Sequence, residues 1–280
     1  ADGAPRVVVV GGGLAGLSAA LEALAGGAHV TLVEKEARLG GNSAKATSGI
    51  NAVGDDAQVA AVKARGLTDS VEMFAEDTMS SARGEADAEL VRLLAAESAA
   101  AVAFVERHGV SLSVLSQLGG HRAPRTHREP PKEDGRPRPI GFDIVTALKE
   151  ALLATPTSHL NVLTSTEVTS LTTLNRGGRL RVVGVDARAA DNTLMGLDAD
   201  AVILATGGFC ADRSPGSLLK QYAPDLVSLP TTNGAWATGD GMRMAQDAGA
   251  ALVSMHRVQV HPTAFVDPKD PDALTKFLAP

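Results

Sequence analysis

The stretch Val7 to Lys35, VVVVGGGLAGLSAALEALAGGAHVTLVEK, constrains this chain more than any other. Val7 to Val10 is a short run of β-branched apolar residues, the pattern of a parallel strand buried on both faces. Gly11, Gly13 and Gly16 come next as G-x-G-x-x-G. The first glycine permits a tight turn, the second lets backbone approach a pyrophosphate, and the third lets a helix pack closely on the strand. Leu14 to Leu24 has helical Ala/Leu spacing, which puts the phosphate at that helix's N-terminus, among free N–H groups and the positive end of the dipole. Gly26 and Gly27 stop the helix, and His29 to Val33 reads as a second strand. Glu34 ends it, 18 residues after Gly16, where an acid can accept hydrogen bonds from an adenosine ribose. Glycine-rich turns are common, so the triplet alone says little. Here strand, turn, helix, strand and acid stand in order, and together they predict a bound dinucleotide.

The next segment suits a ligand that continues past this unit. Gly40-Gly41 permits close backbone approach, and Asn42, Ser43, Thr47, Ser48 and Asn51 supply small donors and acceptors. Such a loop is either plain surface or lies along the rest of the dinucleotide; its position after the phosphate-binding unit favours the second. Residues 54–107 read as mostly helical. Asp69 is a candidate cap for a helix running to about Ser80. Asp87 caps another, with Leu90, Val91, Leu94, Ala101, Val102 and Val105 as its apolar face and Gly109 after its end. Gln117 to Pro139 is rich in Pro, Gly and Arg and predicts a loop. There His121, Arg125, His127 and Arg128 either meet an anion or flavin or stand on a solvated, mobile loop.

Asp143 to Ala154 reads as a short amphipathic helix, Asn161 to Val168 as a strand, and Arg179 to Ala189 as a strand paired across an Asn175–Gly178 turn. Asp200 to Leu204 predicts another buried strand, closed by Ala205-Thr206-Gly207-Gly208, where backbone can pass beside a ligand at the carboxyl edge of a sheet. Thr238-Gly239-Asp240-Gly241 opens a helix over Met242 to Ala248. Asp240 either caps it or offers its carboxylate to a ribityl or ribose hydroxyl. Pro262 pushes His261 into an extended conformation, leaving it either an anion donor beside a cleft or a satisfied core histidine.

Composition narrows the partners. The 280 residues carry a net charge of −6, which argues against nucleic acid as the main partner. With one cysteine, Cys210, no internal disulfide is available, and its apolar context reads as a buried thiol rather than a nucleophile. No apolar run approaches the roughly 18 residues a membrane span needs, and no metal-ligand spacing is present. The opening ADGAPR, without Met, fits either removal of an organelle-targeting segment or a trimmed chain.

Taken together, GGGLAG (11–16), EK (34–35), GGNSAKATSGIN (40–51), QLGGHRAPRTHR (117–128), ATGGF (205–209), YAPDLVSLPTTNGAWATGDG (222–241) and QVHPTAFVDP (259–268) resemble the flavoprotein of the fumarate reductase/succinate dehydrogenase family. The likeness is to its soluble fumarate reductases and the flavin domain of flavocytochrome c. It implies an α/β fold, a Rossmann-type FAD-binding domain with a parallel sheet and an antiparallel β piece, over residues 5–257. Residues 258–280 would begin a truncated capping domain. The implied cofactor is FAD. Gly11, Gly13 and Gly16 would hold its pyrophosphate and Glu34 the adenosine ribose. Lys35, Asn42, Ser43, Thr47, Ser48 and Gly49 would line its centre and the flavin. Val168 would meet the adenine through backbone, Thr206 and Gly207 would border the cofactor, and Asp240 would bind it. His261 would bind a carboxylate of a dicarboxylate substrate.

The family's reaction is hydride transfer from reduced flavin to fumarate, with an arginine protonating the other carbon. In the family, the stretch after Pro280 carries a proton relay, that arginine and further substrate groups. The resemblance therefore implies the FAD-binding portion of such an enzyme, its remainder being another protein chain, a cleaved product, or simply outside this sequence. The alternative is a non-catalytic structural subunit of a larger mitochondrial assembly that keeps the flavin fold. An NAD-dependent dehydrogenase gives residues 40–51 and the TGDG and HPT segments no role.

Overall fold

The computed structural model describes residues 3–156 and 158–278. In chain order the strands are β1 (Arg6–Val10), β2 (His29–Val33), β3 (Ile50–Asn51), β4 (Val114–Ser116), β5 (Thr126–Arg128), β6 (Leu160–Leu163), β7 (Thr166–Arg176), β8 (Arg179–Ala189), β9 (Leu194–Asp198) and β10 (Ala201–Leu204). The helices are α1 (Leu14–Ala25), α2 (Asp56–Ala64), α3 (Val71–Ser81), α4 (Ala88–Glu106), α5 (Ile140–Ala154), α6 (Leu218–Tyr222) and α7 (Asp240–Asp247). The fold is α/β, with the parallel sheet and the antiparallel piece (β7-β8-β9) that the sequence predicts and a second antiparallel sheet (β3-β5-β4) that it does not. The chain divides into two compact units, one built from residues up to Ala44 and from Leu148 onward, the other from Lys45–Ala147.

The first unit is organised on a parallel sheet of order β10-β1-β2-β6. Val8, Val9 and Val10 are buried, as a central strand covered on both faces requires. Leu17 and Ala20 of α1 are fully buried, and burial of a leucine contributes about 2 kcal/mol. Val8, Val10 and Val33 also pack with Val168, Val185, Ala187 and Met244, so the antiparallel sheet β7-β8-β9 and α7 share their core. β7 and β8, of 11 residues each, form a hairpin with two register shifts, the first between Val168 and Ser170. The predicted strand over 161–168 is in fact two, broken where Ser165 adopts a positive φ of 50°. Strand β9 has no strong apolar alternation to announce it. It forms because Leu194–Asp198 pairs along β8.

The second unit corrects three expectations. Ser70, not Asp69, caps α3, its hydroxyl accepting from the Met73 N–H at 3.2 Å. On α4 the buried stripe is Val91, Ala95, Ser98, Val102 and Val105, whereas Leu90 and Leu94 are more than half exposed. The predicted loop 117–139 contains β5, the middle strand of a β3-β5-β4 sheet.

Two basic residues of that segment are fully buried. Arg125 makes a bidentate pair with Asp69, at 2.6 and 2.8 Å, and a second pair with Asp77 at 2.6 Å. Its guanidinium also lies 4.9 Å from the Phe74 ring centroid. His127 sits 2.8 Å from Asp55, with Nδ1 2.8 Å from the Arg125 carbonyl. Burial alone would lower the His127 imidazole, but the hydrogen bond and charge of Asp55 outweigh it and hold the ring above its ordinary value. Neither residue stands on a solvated loop, and both are committed to this unit's interior. Of the four, Arg128 is spent on the Ser48 carbonyl at 2.7 Å, and His121 lies 3.3 Å from Arg125 Nη1.

The Glu129 carboxyl is pushed up to about 7 by burial and by the neighbouring Asp143 carboxyl, with Arg138 opposing. Glu129 Oε2 and Asp143 Oδ2 are both buried without a hydrogen-bond partner among the described residues. A carboxyl raised in the fold binds a proton that the unfolded chain releases. Its contribution is therefore full below the ordinary value of 4.5 and lost as pH rises through about 7. Glu129→Gln, a permanently neutral donor, should leave the melting temperature unchanged at pH 4.5 and raise it by about 2–4 °C at pH 8. Parallel melts at the two pH values check this; an offset independent of pH would refute it.

Candidate functional site

The carboxyl ends of β1, β2 and β10 open on a cavity of about 480 Å³, lined also by α1, β7, α7 and the segment 41–43. Its floor is the glycine turn. Gly11 has φ +104°, and a Cβ there would lie 2.5 Å from the Ala205 carbonyl oxygen. Gly13 precedes α1 in an extended conformation with no side-chain cap, so the first N–H groups of the helix lack the usual partner. The Leu14 N–H reaches Ser43 Oγ at 3.3 Å. Gly16 does not line the cavity: a Cβ on it would lie 1.8 Å from the Gly11 carbonyl oxygen, so it sets the approach of α1 to the turn.

Glu34 is nearly buried and pins the turn, accepting from the Gly12 N–H at 2.7 Å and the Glu36 N–H at 2.8 Å. Each carboxylate oxygen keeps further acceptor capacity for a ribose hydroxyl. Lys35 reaches across to Asp240 at 2.5 Å and Thr238 at 2.8 Å, and Thr238 Oγ1 donates to the other Asp240 oxygen at 2.7 Å. Asp240 thus lies in the first turn of α7, where a negative charge is favoured, with its own charge balanced by Lys35. The helix begins after Gly239, left-handed at φ +79°. Asn42 ties two segments together, donating to Asn233 at 2.9 Å and accepting from the Gly234 N–H at 2.8 Å.

Ten candidate residues therefore line one cavity: Gly11, Gly13, Glu34, Lys35, Asn42, Ser43, Val168, Thr206, Gly207 and Asp240. Thr47, Ser48 and Gly49 belong to the second unit and are not among its lining residues. There Gly49 has φ +120°, and a Cβ would lie 2.3 Å from the His127 carbonyl oxygen. His261 borders a different cavity, of about 780 Å³, shared with Cys210, Arg213, Thr231, Asn233 and Lys276. It is exposed rather than a core histidine, and its Nδ1 lies 2.6 Å from the Thr263 carbonyl. Burial raises the half-buried Cys210 thiol, which keeps it protonated and inert. Among the described residues no group of three His, Cys, Asp or Glu could hold a metal ion, and no helix is long and apolar enough to cross a membrane.

One lining residue lies in the 222–241 stretch that carries the resemblance, which assigns it no role. Trp236, the single tryptophan, has its indole Nε1 buried without a partner among the described residues. Fully buried tryptophan N–H groups usually find an acceptor.

The donor set fits FAD. An uncapped helix N-terminus suits a diphosphate, an acid with spare acceptor capacity suits a ribose, and glycines at 207 and 208 leave open space where a side chain would intrude. Relatives agree. The chain is 42% identical over 279 residues to a fumarate reductase of Schizosaccharomyces pombe, covering 98% of this chain and 52% of the relative. Among solved structures, the open conformation of a flavocytochrome c3 fumarate reductase superposes with TM-score 0.84 at 33% identity, covering all of this chain and 45% of that one. A 3-ketosteroid-Δ4-(5α)-dehydrogenase from Rhodococcus jostii RHA1 gives TM-score 0.78 at 26% identity over 91% of this chain and 56% of that one. The chain spans about half the length of the curated relatives it matches. Residues 6–279 match the family described as the FAD binding domain, and with the glycine turn, the acid and the strand-end cavity in place, the chain belongs to that family.

Proposed function

We propose that this chain is the FAD-binding portion of a fumarate reductase-type oxidoreductase, in which reduced flavin passes a hydride to fumarate to give succinate. The observation that carries the reading is the convergence of the uncapped α1 N-terminus, Glu34, the Lys35–Asp240 pair and the Thr206–Gly207 strand end on one cavity. In this reading the α1 turn takes the diphosphate, Glu34 the adenosine ribose, and Val168 the adenine through its backbone. Lys35, Asn42 and Ser43 line the centre of the cofactor and the flavin, and Asp240 binds it. When bound, FAD supplies the two-electron chemistry, and the protein supplies position and charge.

The substrate assignment rests on His261 and on the relatives' names, because the ketosteroid dehydrogenase likeness shows that this scaffold also serves other substrates. His261 would donate to a carboxylate of the dicarboxylate, which needs several such groups to be bound and polarised. The reading places residues 5–257 in the FAD-binding domain and the start of a capping domain from 258; residues 279 and 280 of that segment lie outside the described ones. It also includes a second polypeptide stretch that supplies the proton-donating arginine, and a mitochondrial location, which cell fractionation would test.

The purified chain should show flavin absorbance and an intact mass consistent with one noncovalent FAD, since residues 40–51 hold no histidine for a covalent link. Mixed with a polypeptide matching the remaining half of the relatives, it should form succinate from fumarate and a reduced donor. His261→Ala should lower that rate by about 10²–10³. A flavin-loaded mixture that forms no succinate would refute the substrate assignment and leave the cofactor assignment standing.

A further inference from the structure

We propose that Thr238 is a cofactor-positioning residue, whose hydroxyl holds Lys35 and Asp240 as one donor–acceptor pair for a sugar hydroxyl of bound FAD. The inference rests on the cofactor reading above and adds a residue that touches no ligand itself.

Three bonds close a small ring. Lys35 Nζ donates to Asp240 Oδ2 at 2.5 Å and to Thr238 Oγ1 at 2.8 Å, and Thr238 Oγ1 donates to Asp240 Oδ1 at 2.7 Å. The threonine hydroxyl has a single proton and two acceptors in range. The Trp236 carbonyl, at 3.2 Å, is farther and uncharged, so the carboxylate takes the proton. The two Asp240 oxygens are thereby anchored on different donors, which fixes the rotation of the carboxylate. Lys35 is anchored on two acceptors, which fixes the end of a side chain otherwise rich in rotamers. The ring also ties the end of β2 to the start of α7 within one compact unit.

Lys35 and Asp240 line the cavity and keep 26% and 30% of their side chains exposed, so the ring does not seal them off. Thr238 is not among the lining residues. A lysine has three N–H groups, of which the ring uses two, and a carboxylate oxygen accepts more than one bond. The pair therefore still offers a donor beside an acceptor, with no net charge. That combination suits a hydroxyl, which accepts from the one and donates to the other. It suits a phosphate poorly, because Asp240 repels the charge that Lys35 attracts. FAD carries such hydroxyls on its adenosine ribose and on its ribityl chain. Holding the pair in place before the ligand arrives lowers the ordering cost of binding.

Thr238→Val removes the hydroxyl but keeps the β-branched shape and the Thr238 N–H bond to the Trp236 carbonyl. The FAD dissociation constant should rise about 5- to 10-fold, the apo melting temperature should hold, and Thr238→Ser should restore affinity. Because the hydroxyl acts through the carboxylate, the same change on top of Asp240→Ala should cost almost nothing further. A merely structural threonine would weaken the apo and the loaded protein alike and cost as much in either background. ADP, used as a competing probe, locates the sugar: an equal loss for ADP puts the hydroxyl on the adenosine ribose, and an unchanged ADP affinity puts it on the ribityl chain. Unchanged FAD affinity in Thr238→Val, a serine as weak as the valine, or the full loss repeated on Asp240→Ala would overturn the proposal. An unsubstituted chain that takes up no FAD would overturn the cofactor reading as well, so the two failures are distinguishable.

Discussion

Gly16→Val should abolish flavin binding and destabilise the fold by about 3 kcal/mol or more, whereas Gly12→Ala should cost little of either. The contrast comes from what each new side chain would meet. At Gly16 a Cβ would lie 1.8 Å from the Gly11 carbonyl oxygen and 2.9 Å from its carbon. Backbone faces backbone there, so α1 must lift off the turn or the turn must break, and overpacking of this kind commonly costs about 1–3 kcal/mol even when side chains alone must shift. Either response moves the helix N-terminus away from the diphosphate position. At Gly12 the close atom is Leu39 Cδ2 at 2.4 Å, the far end of a flexible side chain, and Leu39 can rotate away. Flavin titration and thermal melts of both variants check the prediction. Equal behaviour of the two would show that α1 packing does not govern the site.

Arg125→Met should destabilise the second unit by about 3–5 kcal/mol, and Arg125→Lys should recover little of it. The guanidinium is fully buried and neutralises Asp69 and Asp77, whose side chains are 2% and 11% exposed. Removing it leaves Asp69 without its cation in a poorly hydrated interior, although Asp77 keeps Arg122 at 2.6 Å, and a lysine cannot reproduce the bidentate pair. Asp69 also accepts from Gln58 Nε2 at 2.8 Å, so it stays held in place when its cation is gone. Arg125→Met combined with Asp69→Asn should regain part of the loss, because one buried charge is removed along with its partner. Denaturant melts of the three variants give the ordering, and a single variant as stable as wild type would exclude this ion-pair cluster as a source of stability.

The parts legible in the sequence are those where local chemistry and tertiary role coincide. Val7–Val10, the glycine turn, α1, β2 and Glu34 lie within one strand–helix–strand unit, and each needs only its neighbours in sequence. The β8 strand is legible for the same reason, since it faces β7 across a four-residue turn. Arg125 and His127 are not. Their Pro/Gly/Arg-rich surroundings look solvated, and the acids that bury them, Asp69, Asp77 and Asp55, lie 48 to 72 positions away. On α4 the apolar residues wrap too far round the helix for periodicity alone to choose the buried stripe, so Leu90 and Leu94 read as inward although they face out.

Strand β1 pairs with two neighbours, and one of them, β10, arrives nearly two hundred residues after it. The walls of the 480 Å³ cavity are likewise shared between residues 10–43 and 166–252. A nascent chain still on the ribosome therefore displays the nucleotide motif long before it owns a pocket, and one edge of its most apolar strand stays unpaired in the interval. Loading with flavin therefore waits until residues 166–252 have been made, and until then the apolar strand ends that will wall the pocket stay open to wrong contacts.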